Sequence, residues 1–327
     1  MSKYKLYDIV KAVGIDEIPL EKAATDFTID GTLTPQQAVN LWDTVVPKSN
    51  ILSRIRRVLA NSNAGDLNQY INEGILTGRA GAVTAMTAIR GGGDIAGLRK
   101  DNIGNSYVLK ELYFMYDLLN TEMTNFAALG RNKFNQEAGN QIATGYSNAF
   151  TEKFITGDDG INEPAGIIKL VTDNLAASPA EEATGKKVRN IDTAALTAVT
   201  DRFSAVWKKQ QVKYRKKSVI LCSDADYETY KEEVDESSNY NGAKTLTQDK
   251  DYRFKGLEVI PMEDMDDNTY VMSPLDNMCY ILSVASGANE RGTDVQKVPK
   301  TLVYWNLANM QFAFVTYDKV VYGYDQT

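Results

Sequence analysis

The stretch "KFITGDDGINEPAGIIKL", Lys153 to Leu170, decides how the rest of the chain is read. It begins as the end of a helix and breaks at Gly157, Asp158, Asp159 and Gly160. It then passes Pro164 and Gly166 into an apolar run. An acidic glycine corner of this kind can be a metal loop, a phosphate loop or a joint between two bodies. The sequence on either side separates these readings.

Upstream, Phe134, Ala138, Ile142, Tyr146, Phe150 and Phe154 recur at every fourth position. That spacing predicts a helix over residues 131–156, about 25 residues long. A step of four overshoots one helical turn by about 40°, so the aromatic stripe winds and successive turns meet different neighbours. Gly139 and Gly145 lie inside it. Each costs about 1 kcal/mol against alanine, which predicts a bend or close approach by another backbone.

Residues 72–106 are rich in Gly, Ala and Thr and poor in large apolar groups. "RGGGDIAGLRKDNIGNSY" (90–107) reads as a polar tip, and "YVLKELYFMYDLL" (107–119) as a strand of aromatic and β-branched residues. Together they predict a long projecting hairpin with little core of its own, which needs a partner to be ordered. Arg90, Gly91, Gly92, Gly93, Asp94, Leu98, Arg99 and Lys100 are its candidate contact residues. Nearer the start, Thr34, Pro35 and Gln37 have the spacing of a capped helix start. Ala38, Leu41, Trp42 and Val45 share one face of that helix, and Pro47 ends it.

Downstream of the corner the pattern is that of a second, α/β body. "IDTAALTAVTDRFSAVWKK" (191–209) reads as one amphipathic helix and "SVILC" (218–222) as a buried strand. Ser223 opens a further helix, with Asp226 at the capping-box position. "YRFKGLEVIP", "TYVMSP" and "MCYILSVA" read as strands, and the end of the chain from Thr301 is strand-rich and aromatic.

Composition narrows the chemistry. The 327 residues include 36 Lys and Arg against 43 Asp and Glu, a net charge of −7, which disfavours general gripping of nucleic acid. Histidine is absent, which removes the usual base near neutral pH and the commonest metal ligand. Cys222 and Cys279 have no metal-like spacing and read as two buried thiols in a reducing compartment. The charged start, "MSKYKLYDIVKAVGIDEI", does not read as a signal peptide, and no apolar run reaches membrane-span length. A soluble protein made in a cytosol is expected.

Short motifs do not add a catalytic reading. Gly91 to Ala96 fits a loose dinucleotide fingerprint, but no buried strand precedes it and no helix follows. Gly92 and Gly97 have phosphate-loop spacing, yet Leu98 stands where Lys is required. Asp264, Asp266 and Asn268 mimic a calcium loop, but Thr269 and Leu275 occupy the positions that need Gly and Glu. Asp158 and Asp159 lack a histidine or metal cluster beside them, so turn geometry explains them better than catalysis. Lys208, Lys209, Lys213, Arg215, Lys216 and Lys217 form a basic run at a helix end. It suits the helix dipole, or contact with an acidic neighbour, either a subunit or DNA.

The ordered set of segments resembles the major capsid proteins of tailed bacteriophages, which share the Hong Kong 97-type shell fold. "AVNLWDTVVPKSNILSRIRRV" is similar to the family's passage from N-terminal arm into the body, residues 66–110 to its E-loop, and residues 131–156 to its spine helix. "FITGDDGINEPAGIIKL" resembles its passage from the peripheral (P) to the axial (A) domain. "VILCSDADYETY", "FKGLEVIPMEDM" and "TYVMSPLDNMCYIL" resemble its A-domain succession. The N-terminal region is short beside relatives that carry a scaffolding segment of about a hundred residues, so scaffolding is expected from a separate protein or the chain is a processed or short-armed version.

The resemblance implies an α+β fold divided into an arm (1–48), the way into the P-domain (49–71), the E-loop (72–106), the P-domain with spine helix (107–160), the A-domain (161–289), and P-domain strands returning to the A-domain (290–327). It implies a non-enzymatic subunit forming hexamers and pentamers of an icosahedral head around double-stranded DNA. Scaffolding, portal and decoration proteins are the partners it implies, with no cofactor, no metal and no membrane. The implied location is the virion, after assembly in a bacterial cytoplasm. An encapsulin-like compartment shell shares the fold, and a nucleotide-dependent enzyme is the reading of another class. The family's namesake joins an E-loop Lys to a neighbour's Asn. Lys100 is the one Lys between Lys48 and Lys110, but its polar, Gly-rich setting favours the charged amine, so a non-covalent shell is expected.

Overall fold

The computed structural model describes residues 31–67, 70–72, 100–102, 105–119, 131–160, 163–177, 187–238, 252–285, 289–296 and 301–325. In chain order these form β1 (Gly31–Thr32), α1 (Pro35–Val45), β2 (Arg56–Ala60), β3 (Ala64–Asp66), β4 (Tyr70–Asn72), β5 (Lys100–Asn102), β6 (Ser106–Val108) and β7 (Lys110–Leu119). Next come α2 (Arg131–Thr156), α3 (Ile167–Ala176), β8 (Arg189–Asp192), α4 (Val199–Lys209), α5 (Val212–Arg215), β9 (Ser218–Ser223) and α6 (Asp224–Ser238). The chain finishes with β10 (Arg253–Phe254), β11 (Leu257–Met262), β12 (Tyr270–Pro274), β13 (Met278–Ser283), β14 (Asn289–Gln296), β15 (Thr301–Phe314) and β16 (Val321–Tyr324).

Two six-stranded sheets carry the fold. The first has the order β1-β14-β15-β13-β2, with β7 also running along β15. The second has the order β10-β11-β9-β12-β16-β8. Strand β15 leads out of the first sheet and β16 lies in the second, so the two sheets share one continuous segment near the chain end.

Local chemistry explains the helix starts. Thr34 caps α1: its hydroxyl accepts the Gln37 amide at 3.3 Å, and the Gln37 side chain accepts the Thr34 amide at 2.9 Å, with Pro35 in the first turn. Ser223 and Asp226 make the corresponding start of α6, the Asp226 amide donating to the Ser223 hydroxyl at 3.1 Å. The pairs found from spacing are the pairs that bond.

The strands alternate between two cores. In β9, Val219 and Leu221 join the central core while Ile220 and Cys222 join a second cluster under α4 and α6. The central core runs from α1 across α2 into one face of each sheet, through Trp42, Phe150, Phe154, Phe312, Leu221 and Val271. A third cluster, with Leu67, Leu109, Cys279 and Ile281, lies on the opposite face of the first sheet.

One reading of the sequence changes. Residues 191–209 are not one helix. Arg189–Asp192 is a strand parallel to β16, the Asp192 carboxylate accepts the Ala194 amide at 2.9 Å, and α4 starts at Val199. The turn at Asp192 to Leu196 interrupts an apolar pattern that looks continuous. Met278–Ser283 hydrogen-bonds to β15 and β2 in the first sheet. All six of its residues are buried, so its pattern carries no information about which sheet takes it.

Candidate functional site: the glycine corner, the long helix and the hairpin

The corner after α2 is a close backbone contact. The Gly157 amide ends α2 by donating to the Lys153 carbonyl at 3.1 Å, and the Gly166 amide donates to the Gly157 carbonyl at 2.8 Å. A Cβ on Gly157 would lie 2.2 Å from the Pro164 carbonyl oxygen, and one on Gly166 would lie 2.5 Å from the Gly157 nitrogen. Both positions therefore require glycine. Asp158 and Ala165 form a single β-bridge across the turn, and Asp159 takes a positive φ of 60°. Gly160 differs: a Cβ there would find its nearest neighbour at 3.8 Å.

Two carboxylates of the corner, Asp159 and Glu163, form ion pairs within the subunit. Lys110, at the start of β7, donates to the carbonyls of Asp159 (2.8 Å) and Gly160 (3.0 Å) and pairs with the Asp159 carboxylate at 2.6 Å. Lys153 pairs with Glu163 at 2.9 Å, and that hydrogen bond foremost holds its amine above the usual lysine range. The Gln311 side chain accepts the Ala165 amide at 3.0 Å. No local pattern points to Lys110 or Gln311 here, because both reach the corner from distant strands.

The helix predicted over 131–156 is α2, Arg131–Thr156, about 39 Å long at its normal rise. Ile142, Tyr146, Phe150 and Phe154 are all buried. The stripe winds as its spacing requires. Tyr146 meets Phe114 at 5.3 Å, Phe150 meets Trp42 at 5.2 Å and Phe312 at 5.1 Å, and Phe154 meets Phe312 at 5.3 Å. The side chains of Phe134 and Ala138, and the surroundings of Gly139, lie outside the described residues. Gly145 admits a side chain, where a backbone was one expectation: the Tyr116 ring lies 3.1 Å from where a Cβ would be.

The hairpin is described at its base. Tyr70, Ile71 and Asn72 face Asn102, Asp101 and Lys100, and Ala64, Gly65 and Asp66 face Val108, Tyr107 and Ser106. Each ladder is two strands wide and separate from both main sheets. Arg90, Gly91, Gly92, Gly93, Asp94, Leu98 and Arg99 lie outside the described residues. Lys100 is described through its backbone.

The remaining motifs have structural roles. Asp266 to Thr269 forms a turn with Asn268 at φ 62°. The Asn268 amide donates to Asp226 at 2.7 Å and its side-chain oxygen accepts from Arg202, so Asn268 is occupied in joining helices to the turn. Among the described residues no group of three or more His, Cys, Asp or Glu side chains is arranged to hold a metal, and no helix is long and apolar enough to cross a membrane. In the basic run, Arg215 stacks over Trp207 at 4.4 Å and donates to the Gln210 and Lys208 carbonyls at 2.8 and 2.7 Å, closing the end of α4. Cys222 and Cys279 are free and buried.

Among curated proteins none matches the chain by sequence. Its fold is similar to that of the satellite phage P4 procapsid, with a TM-score of 0.65 at 10% identity over 99% of this chain and 98% of that one. It is also similar to the capsid of an empty GTA particle (TM-score 0.54, 14% identity, 84% and 95% covered) and to the cyanophage A-1(L) capsid (TM-score 0.51, 13% identity, 87% and 92% covered). The fold is of the Hong Kong 97 type. The model of the phage capsid family matches residues 42–283, and the chain belongs to that family. It is a structural capsid protein of the tailed-phage type.

Proposed function

We propose that this chain is the major shell subunit of an icosahedral phage head, assembling as hexamers and pentamers around double-stranded DNA. In this reading residues 1–48 and 72–106 are the intersubunit limbs, the first sheet with α2 is the P-domain, and the second sheet with α3, α4 and α6 is the A-domain. The observation that carries it is the hairpin base. Two two-stranded ladders stand apart from both main sheets; Leu67 and Leu109 tie the foot of one to the first sheet, while Val108 on it is 60% exposed. Ribbons of two strands are marginal in water, so a neighbour that covers them supplies what the subunit lacks. Closed shells repeat such heterologous contacts around local rotation axes, and many modest contacts act together.

Scaffolding and portal proteins are the partners this reading requires, and DNA enters without sequence-specific binding. The net charge of −7 fits a lining that does not grip its cargo. The test is light scattering at micromolar concentration, with and without co-expressed neighbouring phage genes, on the wild type and on a chain lacking Gly91 to Gly97. Particles from the wild type, and a large fall in particle yield without loss of subunit thermal stability in the deletion, are expected. Unchanged particle yield in the deletion would contradict the role of the hairpin tip. Nucleic acid in the purified particles fits a phage head, whereas a protein cargo would shift the reading to an encapsulin-like compartment.

A further inference from the structure

The basic run at the foot of α4 is explained only in part by the subunit. Arg215 is used in closing α4, but Lys208, Lys209, Lys213, Lys216 and Lys217 are exposed, and none forms an ion pair with a described carboxylate. They are gathered on one corner. The Gln210 side chain donates to the Lys319 carbonyl at 2.8 Å, tying the run to the Lys319 segment. Burial lowers the Lys319 amine, and the nearby charges of Lys213 and Lys217 lower it further against Asp276 and Asp318. The corner is a concentration of like charge on a chain whose net charge is −7.

Helix α6 shows the opposite imbalance. Asp224, Glu228, Glu232 and Glu236 stand four residues apart and are all exposed, an acidic stripe along the helix. Like charges at this spacing destabilise a helix. Asp224 has a local reason, since it lies in the first turn, where the dipole favours anions. Glu236 opposes the dipole at the other end, and the last turn has no basic residue. Lys231 pairs with Glu228 at 2.5 Å, while Asp224, Glu232 and Glu236 form no ion pair with a described residue.

The subunit cannot cancel these two imbalances against each other by a shift of α6. The helix is fixed at its start by Ser223 and Asp226 (3.1 Å). Further along, Glu233 accepts the Val199 and Thr200 amides (2.7 and 2.8 Å), and Asp235 accepts the Tyr252 hydroxyl (2.9 Å). A stripe and a corner of opposite sign, on different elements of one chain, match the requirement of a heterologous contact, where two unlike patches of one chain meet in successive copies. We infer that the Lys208–Lys217 corner docks against the acidic stripe of α6 on a second copy of this chain. A phosphate backbone is the less favoured occupant of the corner. The chain's excess of carboxylates repels a polyanion, and the complementary acidic surface is present on every copy.

This inference rests on the shell reading, and the experiment separates the two. Wild-type particles are assembled from equal amounts of isotopically light and heavy subunits and treated with a zero-length carbodiimide, which joins a lysine amine directly to a carboxylate. Light–heavy peptide pairs are expected, linking Lys213, Lys216 or Lys217 to Glu232 or Glu236; this measurement needs no substitution. In parallel, Lys213→Glu with Lys217→Glu should lower particle yield at least tenfold, as should Glu232→Lys with Glu236→Lys. The four changes combined should restore it to within about threefold, because opposite signs then meet again. Wild-type particles whose carbodiimide products join these segments only within one chain would overturn the contact and leave the shell reading intact. So would reversal variants that assemble like wild type, or wild-type retention of duplex DNA that the lysine reversals abolish with no effect on assembly. Absence of wild-type particles would overturn both.

Discussion

Gly157 and Gly166 meet backbone to backbone, with the Gly166 amide on the Gly157 carbonyl at 2.8 Å and no room for a Cβ on either. This contact turns the chain from the long helix α2 into α3, and hence from one sheet towards the other. Overfilling a packed site typically costs about 1–3 kcal/mol, and here the obstructing atoms are backbone that cannot move aside cheaply. Gly157→Ala and Gly166→Ala are each expected to lower subunit stability by at least that amount. Gly160→Ala, with open space around it, should stay within about 0.5 kcal/mol. Denaturant unfolding of the three variants checks this, and equal effects would refute the geometric account.

Phe150 is the junction of the central core. Its ring lies 5.2 Å from Trp42, 5.1 Å from Phe312 and 5.7 Å from Tyr280. Phe150→Ala should cost about 3–5 kcal/mol, enough to leave little folded subunit. Val212→Ala removes an apolar side chain that is 76% exposed and should be neutral. Soluble yield and thermal unfolding of the pair give the comparison.

The two thiols predict a pH dependence. Burial pushes Cys279 up to about 12 and raises Cys222 as well, with Asp226 and Asp224 adding to the latter. Unfolded thiols titrate near 8.5, so above that pH the unfolded chain loses protons that the folded chain keeps. The stabilisation is therefore complete below about pH 8.5 and declines as pH rises towards the folded values. Between pH 8 and 10 the loss should be on the order of 2 kcal/mol per thiol. Cys222→Ala and Cys279→Ala should each flatten this alkaline slope, read from unfolding free energy against pH. An unchanged slope would mean that the thiols are accessible in the folded chain.

Much of this fold was legible because its decisive signals are local. The Thr34–Gln37 box, the four-residue stripe of α2 and the Gly157 turn each rest on residues a few positions apart. What was not legible rests on long separations or on buried strands without alternation. Lys110 and Gln311 reach the corner from β7 and β15, and no spacing rule links them to it. Strand β13 is buried on both faces, so periodicity could not say that it joins β15 and β2. Leu196 fits a helical face by spacing but lies in a turn before α4, where its amide bonds to the Thr193 carbonyl at 2.9 Å. For the candidate limbs, composition alone suggests a hairpin over 72–106, and among the described residues Tyr70–Asn72 pairs with Lys100–Asn102.

A shell held without covalent links is the expectation for Lys100, which lies between Arg99 and Asp101 beside a polar tip. Particles boiled in detergent should give one band near 36.2 kDa. A ladder of multimers that survives reductant and vanishes in Lys100→Ala would contradict it.

Closed-shell formation by this chain is to be read by electron microscopy of the purified protein after expression alone and with its neighbouring phage genes. Uniform closed particles or capsomer rings are expected in at least one of these preparations. Monomers alone, in every preparation and at micromolar concentration, would contradict it.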